Sequence, residues 1–387
     1  MIALGTLSVS INPHQPVKQC GFIQQTQPVF TVHDPLMLRL LRLDTPQGRI
    51  IHGVYDNIGL SLDQAQEVRT ALKALFTDPT EVVLSCTHTH FGGDPHDATY
   101  FAQLKTTTLD AVQSMTVHPI TDPRVSFVSI PFTGVGQSRI SNHTANVVLD
   151  VLSFYDGNRR LATQVIHNCH PTILNGDTPF FTAEYPGVMV RALETRFPEE
   201  SFQFLQGADG DISTRFTRKA QSIEEVERLG TILANEVERL LTQPLRSAPL
   251  TLKTVSRQMP LVHELKDLDK LKANPNPSPR ELETIAIGRK VLENLKPRFH
   301  TLPKEVELTA VHYGPYTQVY APNELFSDYL KVIPKSRASL VCYSQGYAPY
   351  VSGLEELPLT YELFTDTYSA ATKTLLYQTL AELAQGD

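Results

Sequence analysis

Residues 81–94 read "EVVLSCTHTHFGGD". The β-branched run at Val82–Val83 has the character of a buried strand. It runs out into two imidazoles, His88 and His90, and then into Gly92-Gly93. If the strand continued through Thr89, both rings would face the same side, because side chains in a strand repeat every two residues. The glycines would let the backbone turn away or lie close to a ligand. Imidazole is the commonest metal-ligating side chain, and a His-x-His pair brings two of them to one point. The competing reading is a pair of hydrogen-bonded histidines at a strand end.

Working outward, strands alternate with helices. "GRIIHGVYDNIGL" (48–60) predicts a buried strand ending at Asp56-Asn57. "SLDQAQEVRTALKALF" (61–76) predicts a helix, with Ser61 and Gln64 as a capping box. "ANVVLDVLSFYD" and "RLATQVIHNCH" flank Gly157-Asn158 and predict a hairpin whose second strand ends at His170. Ser222 and Glu225 predict a second capped helix, and "YSAATKTLLYQTLAEL" a last one. Between them, residues 263–296 form a polar helical excursion around "NPNPSP" that reads as a solvated lid. No sequence repeat and no linker divides the chain. The pattern predicts an α/β fold, mixed β-sheets flanked by helices, in a single domain over residues 1–387.

Composition excludes several functions. The chain has 387 residues, 41% hydrophobic and 19% charged, which suits a core-forming globular protein. A net charge of -7 leaves no basic footprint for nucleic acid. The opening residues lack a basic region followed by an apolar one, so neither a leader nor a stable membrane insertion is expected. Four cysteines without CxxC spacing fit a reduced, cytoplasmic setting.

One His-x-His pair does not complete a catalytic zinc site, which takes three or four protein ligands and leaves room for water. His170, between an apolar strand and Pro171, is a further candidate. His167 lies inside the apolar run and reads as a core histidine. Asp94, Asp209, Asp211 and Glu324 are acidic candidates. Glu324 follows Pro322-Asn323, where it reads as an early helical residue, and spacing alone does not choose among the four. A metallo-β-lactamase-like site, His-x-His-x-Asp-His, would need an Asp and a His at the second and third positions after His90. Gly92 and Gly93 stand there instead, and Asp94 comes two residues late.

Eight short segments, in order, resemble the catalytic domain of the neutral, non-lysosomal ceramidase family. They are "HDPLMLRLLRLDTPQGRIIHGVYDNIGL", "THTHF", "GQSRISN", "HNCHPT", "FTAEYPG", "FLQGADGDIS", "APNELFSDY" and "GYAPYVSG" with its following "YE". Each is weak; their shared order over residues 30–362 is more specific. The resemblance implies a Zn2+ site made by His88, His170, Glu324 and Tyr350, with Tyr350 preferred to Tyr347. It implies catalytic contacts from His90, Arg139 and Tyr361. The implied activity is a zinc-dependent amide hydrolase cleaving an N-acyl amide with metal-activated water. Its expected partner is a small-molecule amide or lipid-like substrate. A purely structural reading leaves Tyr350 as a core tyrosine and Arg139 as a surface cation. A non-catalytic metal- or ligand-binding protein of the same fold is the alternative.

The sequence departs from the family after His90, where Phe91-Gly92-Gly93 stands, and after Pro171. No signal peptide and no C-terminal β-sandwich domain are read. A soluble N-acyl amide is therefore expected to compete with bilayer ceramide as substrate.

Overall fold

The computed structural model describes residues 1–386 except 24, 141–142, 245, 266–275 and 355–359. The middle of the expected 263–296 excursion thus lies outside the described residues.

The chain builds three sheets in succession, each by the same rule. The first contains β1 (Ile2–Ser10), β2 (Met37–Thr45), β3 (Gly48–Tyr55), β4 (Thr80–Cys86) and β5 (His118–Ile120). Its order is β4-β3-β2-β1-β5, and only β3 and β4 are parallel. The second contains β6 (Pro123–Pro131), β7 (Val148–Asp156), β8 (Arg159–His167), β9 (Ser201–Gln206) and β10 (Ser247–Pro249), in the order β9-β8-β7-β6-β10. Here β8 and β9 are the parallel pair. The third region contributes β11 (Leu252–Pro260), β12 (Glu305–Tyr313), β13 (Tyr316–Tyr320), β14 (Asn323–Leu325), β15 (Ala338–Val341) and β16 (Ala348–Val351). Its main sheet runs β11-β12-β13-β15 with β13 and β15 parallel, and β14 pairs with β16 beside it. Each unit is therefore an antiparallel meander of three strands followed by a crossover to a fourth, parallel strand. The sequence carries no repeat, yet this strand order recurs three times.

The crossovers are helical. α1 (Leu62–Lys73) links β3 to β4, α3 (Glu184–Arg196) links β8 to β9, and a 3-10 turn, Ser327–Val332, links β13 to β15. α2 (Ala98–Ser114), α4 (Ile223–Leu241), α5 (Pro279–Leu295), α6 (Tyr361–Thr365) and α7 (Ala370–Gln385) complete the helices of the described chain. The Ser61–Gln64 capping box is present in full. At α4 the expectation holds only for the helix itself. Ser222 makes no side-chain cap bond, and Glu225 instead accepts the Lys219 amide and pairs with Arg228.

Alternation along the strands divides the core. In β7, Leu149 and Val151 face α3 and α4, whereas Leu152 and Phe154 face a central cluster shared by all three sheets. In β3, Ile50 and Val54 point to that cluster, while Ile51 and Tyr55 meet a layer that includes residues of α1, α2 and α7. Strands buried on both faces read as continuous apolar runs, which is why the strand signal was strong here. Among the described residues no helix is long and apolar enough to cross a membrane.

Candidate metal centre

The parallel pairs of the three units send their C-terminal ends to one place. β4 leads to His88, β8 to His170, β9 to Asp209, β13 to Glu324 and β15 to Tyr343. Backbone hydrogen bonds lock these ends together: Cys86 N to Tyr343 O, Cys342 N to Gln206 O, and Gly207 N to His167 O.

The histidines meet by a different route from the one expected. β4 stops at Cys86, and His88 adopts φ 63, in the left-handed region. His88 and His90 therefore do not share the face of a continued strand, but their rings still stand 5.0 Å apart, edge to face. His88 Nδ1 donates to Ile58 O at 2.7 Å, which leaves Nε2 unprotonated and aimed inward. His170 lies three residues beyond the end of β8, held by a bridge to Ser213, and its ring centre is 5.0 Å from that of His88. Its Nδ1 lies 2.9 Å from Asp209 Oδ2, so Nε2 also faces the centre.

Glu324 is not in a helix. It sits in β14, whose register against β16 sets it opposite Tyr350. Its Oε2 is 3.2 Å from His170 Nε2 and 3.7 Å from His88 Nε2. Tyr350 Oη lies 3.4 Å from the same His170 nitrogen. Tyr347, the less favoured tyrosine, donates to Glu324 Oε1. Arg139 donates from Nη2 to Gly210 O at 2.7 Å and to Tyr350 Oη at 3.2 Å. Its Nε is 3.0 Å from Glu362 Oε1, so it is a largely covered, paired cation rather than a free surface one. Tyr361 opens α6, its ring edge-on to Tyr350 with centres 6.4 Å apart.

The remaining acidic candidates separate. Asp209 braces His170. Asp211 accepts Ser327 N and Oγ at 2.6 and 2.8 Å and lies 3.0 Å from His143 Nε2, so it ties the neighbouring loops together. Asp94 caps the His96 amide instead of joining the cluster. His167 is a core residue as expected, donating from Nδ1 to Val148 O. An open cleft of about 440 Å³ lined by Arg159, Arg160 and Glu200 lies at the opposite end of β8 from His170.

Charge in the cluster is arranged by burial and by neighbours. Burial pulls the His88 and His90 imidazoles below their ordinary range, so both rings are neutral. Burial also works against a charge on His170, but Asp209 together with Glu324 lifts it to about 9. Burial opposes ionisation of Glu324, yet His88, His170 and the Tyr347 hydroxyl hold its carboxyl below the usual carboxylate range. Burial pushes the Tyr361 hydroxyl up to about 12.

This donor set fits a divalent cation. His88 Nε2 and both ring nitrogens of His90 are buried without a hydrogen-bond partner, a costly state unless something else satisfies them. The ring nitrogens with which His88, His90 and His170 could hold an ion all lie within 4.8 Å of one another. Four ligands at zinc-like distances in a tetrahedron would stand about 3.3 Å apart. His170 Nε2 is 3.2 Å from Glu324 Oε2 and 3.4 Å from Tyr350 Oη, and Glu324 Oε2 is 3.7 Å from His88 Nε2. Sequence reasoning missed Tyr343, which stacks on His88 with ring centres 3.8 Å apart.

No protein-family model and no curated protein sequence matches the chain. Solved structures do. A ceramidase complexed with C2 superposes with TM-score 0.79 at 15% identity, over 100% of this chain and 75% of that one. The neutral ceramidase of Pseudomonas aeruginosa gives 0.77 at 15%, over 100% and 74%. With its three sheets and its cluster at their strand ends, the chain has the fold of the neutral ceramidases.

Proposed function

We propose that the chain is a metal-dependent amide hydrolase that holds zinc with His88, His170, Glu324 and Tyr350 and cleaves an N-acyl amide. One observation carries this reading. Four ligand side chains converge from separate elements, while His90, with two partnerless ring nitrogens, and the Arg139–Tyr350 pair stand beside them. A purely structural metal needs only its ligands. When bound, the ion would supply Lewis acidity and lower the pKa of water towards about 7.

The chain's own residues do the rest. His90, neutral and beside the ligands, takes a proton at a free ring nitrogen or returns one to the leaving amine. Burial pushes the Tyr350 hydroxyl well above its ordinary range, and Arg139, donating to Tyr350 Oη, opposes this and favours the phenolate that would ligate best. Tyr361, kept protonated by burial, donates from Oη to the substrate carbonyl as charge develops there. Asp209 holds the His170 ring through Nδ1.

The fold likeness to the ceramidases supports a lipid-like amide as substrate class, and a soluble N-acyl amide is the competing reading. The test is zinc content of the purified chain together with turnover of detergent-dispersed ceramide and a panel of soluble N-acyl amines, with and without chelator. Chelator-sensitive amide cleavage is expected, with soluble N-acyl amines favoured. Stoichiometric metal with no cleavage of any amide would favour the non-catalytic alternative.

A further inference from the structure

We infer that Tyr343 is a positioning residue that fixes both histidines of the centre, His88 by ring stacking and His170 by way of Asp209. The inference rests on the metal reading above and adds a residue that no ligand set contains.

Tyr343 occupies a position that the backbone alone disfavours. Its φ is 51, in the left-handed region, and Gln345 two residues on has φ 65. A bulky residue there is strained and persists only where its surroundings over-determine it. They do so here. Cys342 N bonds Gln206 O at 2.8 Å, Cys86 N bonds Tyr343 O at 3.1 Å, Ser344 N bonds Ala321 O at 3.0 Å, and Gln345 N bonds Leu84 O at 2.7 Å. The segment is thus pinned to all three units, and of its two residues in the left-handed region Tyr343 is the one whose side chain enters the centre.

That side chain makes two kinds of contact. Its ring lies nearly parallel to His88, 21° between planes, which sets the rotation of the imidazole while Ile58 O sets its tautomer. Its hydroxyl is 2.6 Å from Asp209 Oδ1 and 3.3 Å from Glu324 Oε2. One proton faces two carboxylates, and the shorter contact assigns it to Asp209. Asp209 turns its other oxygen to His170 Nδ1 at 2.9 Å and to Gln206 Nε2 at 2.7 Å. The line Tyr343–Asp209–His170 therefore holds the His170 proton on Nδ1 and directs Nε2 to the metal. Such partners of ligating groups orient them and tune their basicity.

Tyr343→Phe keeps the stacked ring and removes the hydroxyl. Zn2+ and Co2+ affinities are measured by competition with a chromophoric chelator, with the visible spectrum of the Co2+ form as a reporter of ligand geometry. Affinity is expected to fall about 10–100-fold, the cobalt bands to shift, and the metal-free chain to remain folded by circular dichroism. Asp209→Asn interrupts the same line and should lose affinity similarly. It carries the test if Tyr343→Phe does not fold. Wild-type affinity and an unchanged cobalt spectrum in the folded variant overturn the inference while leaving the metal site standing. A wild-type chain that takes up neither ion overturns the metal reading and this inference with it.

Discussion

Asp150 offers a perturbation far from the centre whose size follows from the structure. It sits in β7 between Ser129 and Ile166 and is 3% exposed. Its Oδ1 has no hydrogen-bond partner. Burial raises its carboxyl from 3.8 to about 7, opposed only in part by the Ser129 hydroxyl and the Lys335 cation. Moving a carboxyl that far makes its ionised form about 4 kcal/mol less favourable in the folded chain than in the unfolded one. Below pH 3.8 both states hold the proton and the group is neutral to folding. Between pH 4 and pH 7 the unfolded chain ionises first, so stability falls. Above pH 7 the full cost is present. Asp150→Asn removes the titration while keeping the shape. Its stability relative to wild type should therefore grow by about 4 kcal/mol between pH 4 and pH 8. Guanidinium unfolding at pH 4, 6 and 8, with chelator present so that cation binding adds nothing, measures this at constant m. The same difference between variant and wild type at all three pH values would refute the reasoning.

Four predictions concern the centre. Wild type should hold about one zinc per chain, and His88→Ala and His170→Ala should each lose most of it; stoichiometric zinc in both removes the site. His90→Ala should keep the zinc and lose amide turnover, and loss of metal along with activity would make His90 a ligand. Tyr361→Phe should lower kcat by about 100-fold at unchanged zinc content, and unchanged kcat would place its hydroxyl outside the reaction. Gly21 lies against His90, where a Cβ would come within 2.3 Å of the His90 Cβ. Gly21→Ala should shift that ring and cut turnover by about 100-fold, and turnover equal to wild type would show that the ring tolerates the intrusion.

How much of this was legible in the sequence depended on distance along the chain. His88 and His170 were readable because each imidazole follows an apolar run, and a polar ring where a buried strand ends is a local anomaly. His167 was readable as core for the converse reason. Glu324 was found but misplaced, since Pro322-Asn323 signals a turn without saying that a strand pairing with Ala348–Val351 follows. α2 was overlooked. Its Asp97 cap was the available signal, but Thr106-Thr107-Thr108 weakens the helical pattern with β-branched residues. Tyr343 had no local signal at all, because its partner Asp209 lies 134 residues away. Arg139 entered only through the family resemblance, since nothing in its neighbours foretells the ion pair with Glu362.

Convergence of strand ends from three successive units also dictates when the site can exist. His170 meets Glu324 across 154 residues, and Ser85 meets Ser344 across 259. Contacts so remote in sequence form late and slowly, because the loops between them must be closed before any contact rewards the closure. On the ribosome the first two units emerge well before residues 324–350, so their strand ends wait without Glu324, Tyr343 or Tyr350. If the proposed centre holds a metal, tight uptake during synthesis or refolding would therefore be an end-point signal, complete only once all three units have closed.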